Sequence, residues 1–340
     1  MPGYIVAIAA ALILAWSPAG DAAAPEKRDI LLAVGGKATL YYLPLTIAER
    51  KGYFTDEGLN VEIADFPGGA KALQALIGRS ADVVSGAFEH TIVMQTNAIK
   101  LQAFVLQGMN PGLELGIVKA KAGSYEWPKD LKGWRVGVSA PGSSTHMLVN
   151  HLLASVGLTP DDVSIIGVGT GPTAVAAVRG GHLDALSSVE PVMTLLEKSG
   201  DIRIVTETIT DKGTFNVFGG SMPAATLYAR KSFIEEHPNT VQALTNAIVR
   251  ALKWLQKATP DDIAKVVPAE YLLGDRELYL ASYNRLRSTY SKDGRIPAKG
   301  VDNSYKVLLQ HNYAVRRAPV LHIKETFTNA FVERALEQYP

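Results

Sequence analysis

A two-lobed α/β protein is what the sequence predicts, on three observations. Strands and helices alternate through the first two thirds of the chain, a helix–glycine–strand segment recurs at a fixed offset, and 340 residues exceed one average domain. Asp29 to Val34 forms a short apolar strand ending in Gly35-Gly36, and an apolar-periodic helix from Pro44 to Lys51 closes on Gly52. Leu59 to Ala64 alternates as a strand, Ala70 to Ile77 is helical up to Gly78, and Asp82 to Ser85 is the next strand. The plan returns with the strand Arg135 to Ser139, the helix Ser143 to Ser155 and its stop at Gly157. Ala72 to Leu76 aligns with Ala174 to Val178, and Gly78, Asp82 and Ser85 with Gly180, Asp184 and Ser187, at a constant offset of 102 residues. That period is too long for a solenoid and suits two related lobes.

Leu115 to Lys119 and Ala225 to Ala229 are the expected hinge strands, which divides the chain into a first lobe (28–115 with 225–340) and a second (116–224, including the hinge strands). Ser232 to Pro340 is mainly helical, with Asn239 to Lys257, Asp275 to Tyr290 and Lys324 to Gln338 as amphipathic stretches expected to pack on the first lobe.

Composition narrows the function. With 34 lysines and arginines against 33 acids, the formal charge of +1 offers no basic field for nucleic acid. The absence of cysteine excludes disulfides, thiol nucleophiles, thiolate metal sites and a lipoprotein anchor built on that residue. The apolar run Tyr4 to Trp16 is too short to span a bilayer and is followed by Ala22-Ala23-Ala24, so residues 1–24 are expected to be an export signal, although no lysine or arginine precedes the run. The expectation is a soluble, monomeric periplasmic protein without a lipid anchor.

Ordered motifs carry a family resemblance: Leu45 to Phe54 running into Glu57-Gly58-Leu59-Asn60-Val61, Ala75 to Gly78 with Asp82-Val83-Val84, Asp130 to Gly133 with Arg135 to Val138, and Gly180 to Ala185. From Ile30 to Ala229 the chain resembles the nitrate, sulfonate and taurine group of periplasmic binding proteins, including relatives that bind thiamine-pyrimidine precursors. The resemblance implies a type II periplasmic-binding-protein-like fold, two α/β lobes with a ligand cleft between them and a helical C-terminal tail. It also implies a small organic ligand such as a sulfonate or carboxylate, the permease of an ABC importer as partner, and no cofactor, metal or catalytic residue.

Ligands of open α/β sheets lie beyond the carboxyl ends of the strands, which singles out the loops Gly35 to Tyr42, Gly86 to Thr91, Gln107 to Leu113, Ser139 to His146 and Ser187 to Pro191. From these come the candidate contacts Gly36, Tyr41, Tyr42, Phe88, Glu89, His90, Asn110, Ser139, Ser143, Ser144, Thr145, His146 and Glu190. Ser143, Ser144 and Thr145 open a helix, where free N–H groups and the dipole favour an acidic group, while a plain N-cap role competes for either serine. Glu89 and Glu190 suit an amine, amidine or hydroxyl of the ligand, with a surface position or a salt bridge to a neighbour as the equal alternative. Tyr41, Tyr42, Phe88 and His90 offer flat apolar walls or ordinary core packing.

Three near-motifs fail. The third glycine of a dinucleotide loop is replaced at Pro172, the second glycine of a hydrolase elbow at Pro141, and His146 and His151 lack the spacing of a zinc pair. The rival class is an enzyme on the same fold, of menaquinone-pathway or thiamine-pyrimidine type. The latter type depends on a cysteine-rich motif that is missing here. A ligand-sensing periplasmic protein is a third class.

Overall fold

Buried apolar segments form the central strands, and helices with one apolar face cover them. The computed structural model describes residues 24–340, so the expected signal, Ala24 apart, lies outside the described residues. The first sheet takes β1 (Asp29–Gly35), β2 (Asn60–Phe66), β3 (Val83–Ala87) and β4 (Leu101–Leu106), connected by segments that include α1 (Leu43–Arg50), α2 (Gly69–Ile77) and α3 (Glu89–Val93). The chain then crosses to β5 (Glu114–Val118), β6 (Arg135–Val138), α4 (Ser144–Ser155), β7 (Ser164–Gly167), α5 (Pro172–Arg179), β8 (Ala185–Ser188), α6 (Val192–Lys198) and β9 (Ile202–Glu207). It returns through α7 (Asp211–Phe218) to β10 (Ala225–Arg230) and ends in a tail with α8 (Pro238–Lys257), α9 (Arg276–Leu286), α10 (Ala298–His311), α11 (Tyr313–Arg317) and α12 (Ala330–Gln338).

The two sheets run in the orders β2-β1-β3-β10-β4 and β7-β6-β8-β5-β9. In each, one strand is parallel to two neighbours (β1 to β2 and β3; β6 to β7 and β8), and a strand from beyond the crossing enters antiparallel (β10 beside β3 and β4; β5 beside β8 and β9). The repeat read from the letters is therefore a repeat of topology, with α2 and β3 matching α5 and β8.

Two details depart from the sequence reading. The expected hinge strands are each hydrogen-bonded on both sides, β5 wholly within the second sheet and β10 within the first, and a strand so held cannot bend freely. The crossings are the segments before them, 107–113 and 208–224. These are laced together by Ala224 N–H donating to Gly108 O (3.0 Å) and by the Asn110 amide donating to Ile209 O (3.2 Å) and Asp211 (2.9 Å). The last helix begins at Ala330 instead of near Lys324. The preceding residues are spent on the edge of β4, where Ala103 N–H donates to Thr326 O and Thr328 N–H to Ala103 O.

The tail covers more than the first lobe. α8 packs on α1 and β4, and α12 on α8 and β4, as expected; α9 also reaches α6, and α10 touches both α3 and α4. A core of β1, α1, α8 and α12 residues thus serves the first lobe, while a second, with Leu73, Phe88, Leu148 and Leu308, runs across both lobes.

Candidate functional site

The carboxyl ends of the central strands face each other across the lobes, and the lobes touch there. Gly35 must be glycine, since a Cβ would lie 2.2 Å from the Gly69 nitrogen, where β1 ends against the start of α2. That start carries no cap of its own; instead Ser143, on the opposite lobe, accepts a hydrogen bond from Ala70 N–H at 2.9 Å. An N-terminal helix donor is thus satisfied from across the cleft. Leu40 N–H donates to Glu190 O at 3.0 Å, and His90 Nε2 lies 3.3 Å from Gly142 O.

Beside these contacts, α2, α3, the β6–α4 loop, α4 and the α10–α11 corner line a cavity of about 650 Å³ that is open to solvent on one side, a volume suited to a small organic molecule. Four sequence candidates line it: Glu89, His90, Ser143 and His146. Glu89 is 4% exposed, and its Oε1 has no hydrogen-bond partner. Burial pushes its carboxyl up to about 7. Burial also draws His90 down to about 4, keeping it neutral. Because His90 Nε2 must donate to the Gly142 carbonyl, its Nδ1 accepts from the Tyr228 hydroxyl at 3.0 Å. His146 Nδ1 accepts from Gly142 N–H at 2.9 Å, so its proton sits on Nε2, buried without a partner.

The other candidates have different surroundings. Gly36 N–H is committed to Asp65 at 2.9 Å, and a Cβ there would meet Thr170 of the other lobe. Tyr41 and Tyr42 stack edge to face at 4.7 Å, and Tyr41 borders a void of about 10 Å³, room for about one water. Ser144 faces the Tyr41 hydroxyl. Phe88 is fully buried in the core that spans the lobes, where its ring serves packing. Ser139 and Thr145 bind each other, Thr145 Oγ1 accepting from Ser139 N–H at 3.0 Å and lying 2.8 Å from Ser139 Oγ. Asn110 holds the crossings together, as described above.

At Glu190 the structure takes the salt-bridge alternative in place of a carboxylate turned to a ligand. Its carboxylate accepts from Thr194 N–H (2.9 Å), Thr194 Oγ1 (2.6 Å) and Arg285 Nη1 (2.6 Å), while Arg285 Nη2 holds Glu114 at 2.7 Å. Arg285 comes from α9, so the tail ion-pairs with two strand ends of the second lobe. Burial, joined by the charge of Glu190, pushes Glu114 up to about 8, and burial raises Glu190 as well.

The cavity also uses residues the sequence reading passed over. Asn150 and Met147 follow Ser143 and His146 along one face of α4, a spacing visible in the sequence. Leu308 and His311 arrive from α10 and are brought there by tertiary packing alone. Burial holds His311 near 4.

Two α/β lobes joined by two crossings, with a cavity at the strand ends between them, define a periplasmic-binding-protein fold of the type seen in nitrate- and sulfonate-binding proteins. The chain belongs to the NMT1-like family, which matches residues 23–268. A structure from Bordetella bronchiseptica RB50 is 51% identical with a TM-score of 0.90, covering 93% of this chain and 99% of that one. The fold also matches the nitrate-binding protein NrtA from Synechocystis PCC 6803 (16% identity, TM-score 0.73, 93% and 90% coverage). The alkanesulfonate-binding protein SsuA from Xanthomonas axonopodis pv. citri, bound to MOPS, is a further match (18%, 0.68, 90% and 99%). In sequence, the 4-amino-5-hydroxymethyl-2-methylpyrimidine phosphate synthase of Schizosaccharomyces pombe is 25% identical over 264 residues, 76% of this chain and 74% of that one. Among the described residues, no helix is long and apolar enough to cross a membrane.

Proposed function

We propose that the protein is the exported, monomeric solute-binding component of an ABC importer, capturing a small organic molecule between its lobes and presenting the closed form to a permease. The observation that carries this reading is the cavity of about 650 Å³ lined from both lobes and flanked by hydrogen bonds that join them only when they are together. A binding protein needs this coupling: a ligand that touches both walls adds to the same contacts that close the lobes, and the closed shape is what a permease can recognise. The likeness to NrtA and SsuA supports it.

The test is a thermal-shift screen of carboxylates, sulfonates, amines and nitrogen heterocycles, followed by small-angle scattering at saturation. A ligand that raises the melting temperature and compacts the protein is expected; a tight ligand that leaves the scattering unchanged refutes closure. The synthase relative favours a second reading, an enzyme on this fold. Mass spectrometry of the bound molecule separates the two, because an importer component returns its ligand unchanged. Export is tested by N-terminal sequencing of the protein recovered from its native host, where a retained Met1 refutes it.

A further inference from the structure

We infer that the inter-lobe cavity selects a ligand bearing a cationic amine or amidine group, which the Glu89 carboxylate binds, over a ligand whose polar group is a bare anion. The inference rests on the binding role proposed above and names its ligand class.

The charge inventory of the wall carries the argument. Among the described residues lining the cavity, Glu89 is the sole carboxylate and none is lysine or arginine. Its Oε1 is buried and unpartnered, whereas another buried acidic site, Glu114 with Glu190, has Arg285 as counter-charge. Burying a carboxylate without a partner is costly, and structures tolerate it where a partner arrives later. Other orphaned polar atoms on the wall agree with a nitrogen-rich ligand: Asn150 Oδ1 is an unused acceptor and His146 Nε2 an unused donor. Leu73, Met94, Met147 and Leu308 give the ligand body an apolar seat. An anion would meet no fixed positive charge here and would stand against Glu89.

Glu89 is the carboxyl on the cavity wall whose titration ligand binding meets directly. The groups facing it are Tyr41, Tyr42, Tyr228 and His90; burial raises the three tyrosines and lowers His90, so all four stay neutral between about pH 6 and 8. His146 and His311 on the remaining walls are likewise lowered by burial. A cation bound to Glu89 therefore binds more tightly as pH rises through about 7, where the free carboxyl ionises.

Benzamidine and benzoate, alike in shape and opposite in charge, are the probes. Near pH 8, benzamidine at about 10 mM is expected to raise the melting temperature and benzoate is not. Glu89→Gln is expected to bind benzamidine about ten- to a hundredfold more weakly by calorimetry. In the wild type, which guards against misfolding of the variant, affinity for benzamidine is expected to fall as pH drops below 7. Stronger binding of benzoate, benzamidine affinity indifferent to Glu89→Gln or to pH, or no stabilisation by benzamidine overturns the inference. An anion that stabilises and compacts the protein would overturn this ligand class and leave the binding role standing; a screen in which nothing compacts it would remove the role itself.

Discussion

Replacing Arg285 with methionine removes the counter-charge from two buried carboxylates, and the structure sets the size and pH dependence of the effect. Breaking a buried pair by deleting one partner costs about 3–5 kcal/mol. Arg285 is 35% exposed while both glutamates are fully buried, so solvent screening reduces the figure, and about 2–3 kcal/mol is expected near pH 8. At about 2.1 cal/mol/K per residue, the 340-residue chain loses about 3–4 °C in melting temperature. The sign with pH follows from the carboxyls. Glu114 is raised from an ordinary value near 4.3 to about 8, so its protonated form contributes stability that is complete below the unfolded pKa and is lost as pH rises through the folded one. Without Arg285 both carboxyls rise further, and the deficit of the variant is greatest near pH 8 and shrinks toward about pH 5, where protonated glutamates need no counter-charge. Calorimetric melts at the two pH values are the assay. A variant that melts like the wild type near pH 8, or whose deficit is equal at both, refutes the argument.

Other substitutions probe separate parts of the molecule. Ser143→Ala leaves Ala70 N–H without its acceptor and is expected to weaken the closed form by about 0.5–1.5 kcal/mol; a scattering profile and ligand affinity identical to wild type would dismiss that contact. In the unliganded protein, Glu89→Gln should raise stability by about 1–3 kcal/mol above pH 7, because a carboxyl raised to about 7 withdraws stability as it ionises. Melts that coincide at pH 8 would show that the carboxyl is not strained by burial. Gly35→Ala forces a methyl to 2.2 Å from the Gly69 backbone and is expected to abolish soluble expression or cost more than about 3 kcal/mol; normal melting would show that the two segments can part.

The lobes were legible because their signals are local. Apolar periodicity and glycine stops mark α1, α2, α4 and the strands beside them, and the matching order of the two sheets follows from the matching letters around Ala72 and Ala174. β4 and β9 were not read out. β4 is almost wholly buried, so its run Leu101–Leu106 lacks the alternation that announces a strand. Among the site candidates, Glu89 and His90 lie one turn beyond β3, where the rule of strand ends places them, and both line the cavity. Glu190 follows β8 in the same way, yet its partner Arg285 is 95 residues distant in sequence. Position after a strand says where a side chain begins, and only the packed tail decides what it meets. Asn110 borders the small void beside Tyr41, and its amide also binds one crossing to the other.

The insertion of the whole second sheet between β4 and β10 of the first imposes an order on how the chain can be completed during synthesis. All five strands of the second sheet lie between Glu114 and Glu207, so that lobe has its full set once this stretch has left the ribosome. The first sheet, begun earlier, must wait for β10, which bridges β3 and β4, and its nascent form stands open at that seam for more than a hundred residues of translation. The later-made lobe is thus the first that can close. A second lobe closed at that stage would have Glu114 and Glu190 without Arg285, and such carboxyls are buried most cheaply with their protons on. Arrival of α9 then seals the ion pair, making the end of the chain the last contributor to a lobe whose strands were in place long before.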